Sequence, residues 1–512
     1  MGGIRQRIGA AALGLGLASW ACAAPRAAEE VPVTPVNEAA QLGNNSPALL
    51  ADPQEPRFVV LASRLDNPDF SCALHLSGDG GRGWVPANPV PELPAGAEKC
   101  YAPEVAFDPQ GVLYYLFLGL AGPGNSPVGA FLTTTADRGR SFSPPRQVLG
   151  GERYMVRMAI DTTAGGRGRI HLLWLEARAD PPLGGLAPPP NPIMASHSDD
   201  GGATFSEPVQ VSDPRRLRVV APALTLGPNR AVHVLYYDLE EDARDYQGLE
   251  GPAWEGSWSV ALSSSADGGM SFGPAVLVDS GLVPPERVML IYTMPPPALA
   301  VDPSGSLFAA WHDARNGDWD VFLSRSDDGG ATWGKPRRLN DDRVGNGRHQ
   351  YMPRLSISEG GRLDAIFYDR RGDPDNLRNG TYFTHSDDGG ATFSKNLKLT
   401  AESSHSEIGV RYAVPSALGL VEFGSRIALS SGPSSVLAAW TDTRNLDIDS
   451  FSQDIFATRV DLAGPLGASP ARWALALGAA LLLGGLVVAR GRRGRRGRAA
   501  PAVEAPVGAT ES

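Results

Sequence analysis

Ser326-Asp-Asp328-Gly-Gly330-Ala-Thr332-Trp333 is the fifth of six copies of one eight-residue phrase, and its recurrence decides the fold. The phrase is a Ser or Thr, then Asp, Gly and an aromatic at fixed offsets. The others begin at Ser77, Thr135, Ser198, Ser265 and Ser386, so successive copies start 58, 63, 67, 61 and 60 residues apart. A period in that range marks an array of one supersecondary unit.

Each phrase lies between strand-like runs, as with Asp320–Arg325 before the fifth copy and Lys335–Leu339 after it. It therefore reads as a hairpin turn. The Asp carboxylate accepts turn N–H groups, Gly supplies a positive φ, and the aromatic packs inward.

Outward from the phrase, the fifth unit begins Pro297-Ala-Leu-Ala-Val-Asp302 and continues Leu307-Phe-Ala-Ala-Trp311-His312-Asp313-Ala-Arg315 before its turn. That is four short strands per unit, the pattern of a β-propeller blade. A seventh unit, containing Val436–Arg444 and Gln453–Arg459, lacks the phrase and a fourth strand. Val31–Val36 resembles the fourth strands elsewhere and is expected to complete that blade, removing the open edge of the ring. The expected fold is all-β, a propeller of four-stranded blades, seven in number with six as the alternative.

The six phrases resemble the Asp box, or BNR repeat, of sialidases and other secreted propellers, over about residues 41–462. The resemblance implies that Asp79, Asp137, Asp200, Asp267, Asp328 and Asp388 are structural turn residues. It also implies a glycan ligand and no cofactor, and sialidases use an arginine triad, a Tyr–Glu pair and an Asp. Two departures stand against a direct transfer. Sialidases have six blades, and Asn45-Ser46-Pro47 stands where their first-blade Arg-Ile-Pro is expected. No catalytic residue carries over by motif.

Chemistry is expected on the face opposite the phrases, around the central channel. Two recurring elements map there: the ends of the second strands and the segments before the first strands. From them come Asp313, Tyr351, Tyr412 and Glu176 as candidate catalytic groups, and Arg153, Arg315, Arg370, Arg411 and Arg444 as candidate clamps for an anionic sugar. Trp254 joins them from the long acidic and aromatic loop Glu240–Trp258. A motif repeated in nearly every blade also reads as a packing device, a salt bridge between neighbouring blades. Two functions stay open: a sialidase-like glycosidase, and a noncatalytic propeller that binds a protein or polysaccharide.

The ends of the chain address it. Residues 1–23 read as a signal peptide, with Cys22 as an alternative lipidation site, and 24–40 as a linker with the ring-closing strand. After the propeller (41–462) and a linker (463–472), Trp473–Ala489 is a 17-residue run of apolar residues and Gly followed by six arginines. That is expected to be a transmembrane helix with a basic cytoplasmic tail at 490–512. The propeller would then lie on the extracytoplasmic side. A net charge of −10 despite that tail argues against nucleic acid. The eight histidines show no zinc spacing, so no metal is expected. Cys72 and Cys100 remain after signal removal, and an oxidising compartment lets such a pair join.

Overall fold

In the computed structural model of the chain the described residues are 33–37, 43–88, 91–123, 125–151, 153–162, 168–176, 179–180, 185–186, 189–242, 254–284, 294–406, 424–445 and 453–462. Among the described residues seven antiparallel sheets form a ring of four-stranded blades, the sixth carrying an extra short strand, Ser404–His405, paired to its third. The fifth blade runs Ala298–Val301, Leu307–Asp313, Asp320–Ser326 and Arg337–Arg338, in that order from first to fourth strand. The seventh is built from both ends of the chain: Ala428–Ser431, Ser435–Asp442 and Asp454–Asp461, then Val33–Pro35, with Val33 opposite Thr458 and Pro35 opposite Phe456. Asn37 pins this closure, donating to Asp454 Oδ1 at 2.8 Å and accepting from the Ile455 N–H at 2.6 Å.

The apolar core lies between blades. One cluster joins Val60, Leu74, Val105 and Phe117 of blades one and two, and another joins Leu49, Val59, Leu437 and Ala439 of blades one and seven. Wherever the chain writes Trp in a second strand (Trp174, Trp311, Trp440), the ring is fully buried. Each such side chain contributes roughly 2–3 kcal/mol of hydrophobic stabilisation.

All six phrases are third-to-fourth strand turns with the same bonding. In the fifth, Ser326 Oγ donates to Asp328 Oδ1 at 2.8 Å and accepts from the Gly330 N–H at 2.9 Å. The Thr332 N–H donates to the same carboxylate at 2.9 Å. Hydrogen bonds from Thr332 and Ser326 hold the Asp328 carboxyl down at about 2. The turns also weld the ring. A Cβ on Gly330 would stand 2.3 Å from Leu262 of the preceding blade, and one on Gly81 would stand 2.7 Å from Leu437. Arginines of the preceding blade donate to turn carbonyls, Arg169 to Gly268 at 2.9 Å and Arg459 to Gly80 at 3.3 Å.

Cys72 and Cys100 are bonded, their Cα atoms 5.5 Å apart, and tie the third strand of blade one to the first strand of blade two. Among the described residues no helix is long and apolar enough to cross a membrane. The expected signal peptide, transmembrane run and basic tail lie outside the described residues.

Candidate functional site

The first strands line the channel, and five of the seven carry an irregularity that the sequence did not announce. Ser46, Ala102, Met155, Ala221 and Met352 have φ between 48° and 55°, and the ladder slips beside each, as between Tyr351 and Arg354. Such a bulge re-aims the residues that follow it. The residue two places on from each positive φ is Ala48, Glu104, Arg157, Ala223 and Arg354 in turn. Blades five and seven place Ala298 and Ala428 there, by their pairing with Ala310 and Ala439. Four alanines leave room; Glu104, Arg157 and Arg354 fill it.

These three meet a fourth group. Arg157 Nη1 donates to Glu104 Oε1 at 3.1 Å, and Arg426, just before the first strand of blade seven, closes on the same oxygen. Arg426 crosses the face of blade one to get there, its Nε donating to the Ser46 carbonyl at 3.1 Å and Nη2 to the Pro103 carbonyl. The side chains of Glu104, Arg157 and Arg426 are 12, 15 and 11 % exposed, so this bridge is largely desolvated.

Arg354 is different. It is exposed to the solvent of the channel, walled by protein, and makes no hydrogen bond to any described residue. Desolvation lowers its guanidinium to about 10, with Arg426 and Arg157 adding to the fall and Glu104 opposing it. It remains a cation at neutral pH. Three guanidiniums against one carboxylate leave an excess of two positive charges. A cleft lined by Pro296, Pro297, Pro353, Arg354, Arg426 and Ile427 opens beside them, toward the face opposite the turns.

The candidates read from the sequence are placed otherwise. Asp313 is 1 % exposed, accepts from Trp311 Nε1 at 3.1 Å and from Arg315 Nε at 2.9 Å. Arg315 also reaches Asp279 of blade four at 2.6 Å, an ion pair between neighbouring blades. Asp442 repeats the arrangement, with Trp440 Nε1 at 3.0 Å and Arg444 Nη2 at 2.6 Å. Glu176 takes the Trp174 indole at 3.4 Å and lies 3.7 Å from Arg153. Tyr351 is 5 % exposed; its hydroxyl donates to Asn379 Oδ1 at 2.7 Å and accepts from Arg370 at 3.3 Å. Arg370 is further held by Asn379 and the Asn376 carbonyl. Trp254 packs against the core of blades three to five. Arg411 and Tyr412 lie outside the described residues. The seventh first strand begins at Ala428, with Arg426 two residues before it.

Glu104, Arg157, Arg354 and Arg426 were missed by sequence reasoning. The signal was there: Pro47-Ala48, Pro222-Ala223 and Pro297-Ala298 set a pattern that Pro103-Glu104 and Pro353-Arg354 break. Among the described residues no group of three or more His, Cys, Asp or Glu converges to hold a metal ion.

No family model and no curated protein matches this sequence. Solved structures similar in fold include a protein of unknown function from Dyadobacter fermentans DSM 18053, at 12 % identity over 85 % of this chain and 98 % of that one, with a TM-score of 0.45. The phage phi92 endosialidase is 10 % identical over 86 % of this chain and 70 % of its own, with a TM-score of 0.45. The Hadza microbial sialidase Hz136 is 14 % identical over 79 % and 74 %, with a TM-score of 0.40. Likenesses of that depth carry no argument for a substrate or a reaction.

Proposed function

We propose that this is an exported, membrane-anchored propeller that binds an acidic sugar of a glycan at the channel mouth. The observation that carries the proposal is Arg354, a guanidinium with no hydrogen-bonded partner among the described residues, in a cluster with two positive charges in excess. A carboxylate can pair with it bidentately, in surroundings of reduced dielectric where such a bond is strong. Pro296, Pro297, Pro353 and Ile427, which line the cleft beside Arg354, supply an apolar wall for the sugar ring.

Binding fits better than hydrolysis. Glycoside cleavage uses two carboxyl groups, or an equivalent nucleophile and acid, facing one bond. In the described part of the channel cluster the carboxylate is Glu104, already held by two arginines. Asp313 and Tyr351 are buried in their own hydrogen bonds.

Export and anchoring rest on the sequence of the two ends. Strand direction adds an orientation: Val33 enters the seventh blade, and Leu462 leaves it, at the face of the hairpin turns. An anchored chain would then hold that face toward the bilayer and the channel mouth away from it.

Calorimetric titration of the full-length protein with glucuronate and with glucose tests the reading. Glucuronate is expected to bind and glucose not, with binding reduced at least about tenfold in Arg354→Ala, roughly 1.4 kcal/mol. Equal affinity for the two sugars, or an unchanged Arg354→Ala, would overturn it. Turnover of a fluorogenic α-sialoside by the same preparation would restore the glycosidase reading.

A further inference from the structure

Glu104 is the odd member of the channel cluster. It stands on blade two, adjoining Arg157 on blade three but separated by a whole blade from Arg426 on blade seven. Four other blades place alanine at the same position, so the repeat does not require a carboxylate there. So little exposed a carboxylate has its burial offset by the two guanidiniums that close on it. The effect is to occupy two of three cations and leave Arg354 without a hydrogen-bonded partner among the described residues.

Resting on the reading of the channel as an acidic-sugar site, we propose that Glu104 is a specificity-determining residue: an internal anion that confines the site to ligand groups bearing one negative charge. A single carboxylate on Arg354 lowers the excess charge from two to one. A second negative charge on the same group finds no other open guanidinium in the described part of the cluster. It must displace Glu104 from Arg157 and Arg426, stranding that carboxylate, or bind beside it and meet its repulsion. Specificity of this kind comes from the repulsive element as much as from the attractive one.

The test compares glucuronate, with one carboxylate, and glucose 6-phosphate, whose phosphate is close to doubly charged above neutral pH. Each is titrated into the full-length protein and into Glu104→Gln, which keeps the shape and removes the charge. The wild type is expected to favour glucuronate by at least about tenfold. Glu104→Gln is expected to reverse that order, glucose 6-phosphate gaining about tenfold or more as two guanidiniums are released. An unchanged ratio would overturn the proposal. So would loss of both anions together in a folded Glu104→Gln, the result for a carboxylate that merely braces the arginines.

A measurement on the wild type alone guards against a misfolded variant. Phenylglyoxal modification mapped by mass spectrometry should label Arg354 and spare Arg157 and Arg426; equal labelling of all three would refute the internal-anion role. Failure of the underlying reading shows separately, as wild-type protein that takes up no glucuronate and does not respond to Arg354→Ala.

Discussion

Arg354 and Ala298 occupy the same place in neighbouring blades, and the contrast shows how one side chain gives a repeat a site. A ring of seven equal blades has no preferred direction in which to hold a ligand; a guanidinium at one position supplies one. Stability and function separate at this scale. Arg354 makes no hydrogen bond with described residues and lies near two other cations, so Arg354→Ala is expected to melt at or above the wild-type temperature. Arg426→Ala removes the contacts to Ser46, Pro103 and Glu104 and leaves a little-exposed carboxylate with one partner. It is expected to cost about 3 kcal/mol, read from denaturant midpoints. Equal melting of the two variants would contradict this division.

The hairpin turn is the element that builds the ring, and it asks different things of its two glycines. Gly329 has φ of 70° with nothing near a Cβ, whereas Gly330 has φ of 94° and a Cβ there would strike Leu262 at 2.3 Å. Gly329→Ala is expected to cost about 1 kcal/mol for the left-handed backbone alone. Gly330→Ala adds the steric clash between blades and should cost roughly 3 kcal/mol in chemical denaturation. Comparable losses would mean that the turn does not bear on the blade before it. The disulfide is a second device at this scale. Cys72 and Cys100 close a loop with a sequence separation of 28, and Cys72→Ser with Cys100→Ser should lower stability by about 3 kcal/mol.

Taken whole, the molecule is sensitive to acid through its histidines. Burial lowers His75, His171, His233, His312 and His349 from 6.5 to about 4. For a group neutral in the fold and easier to charge when unfolded, the unfolded chain binds more protons below pH 6.5. Stability is therefore full above pH 6.5 and falls progressively toward pH 4, before Asp137 and Asp328, held at about 2, begin to titrate. Melting temperatures that stay flat from pH 7 to pH 4 would exclude this. Ring closure is the other global property. Asn37→Ala removes both bonds that hold the entering strand to Asp454 and Ile455. Hydrogen exchange should quicken first in Asp454–Asp461, and exchange confined to the first blade would point to a different weak seam.

The repeat itself determined the architecture. Six Ser/Thr-x-Asp-x-Gly phrases are local: the bonds of their Ser or Thr and Asp side chains lie within four residues, so the turn and the strands it joins can be read directly. Even the ring-closing segment Val31–Val36 was legible, because a fourth strand was missing and only one was spare; the structure places Val33–Pro35 there. The Asp-x-Arg element was visible too, but its state was not. Asp313 and Arg315 neutralise each other two residues apart and bury the product, which no pattern distinguishes from an open clamp. The channel cluster was out of reach for the opposite reason. Glu104 is 53 residues from Arg157 and 322 from Arg426, and nothing local pairs them. Only a closed ring, with bulges in five first strands re-aiming their side chains, decides which charges meet there and which one is left without a hydrogen-bonded partner among the described residues.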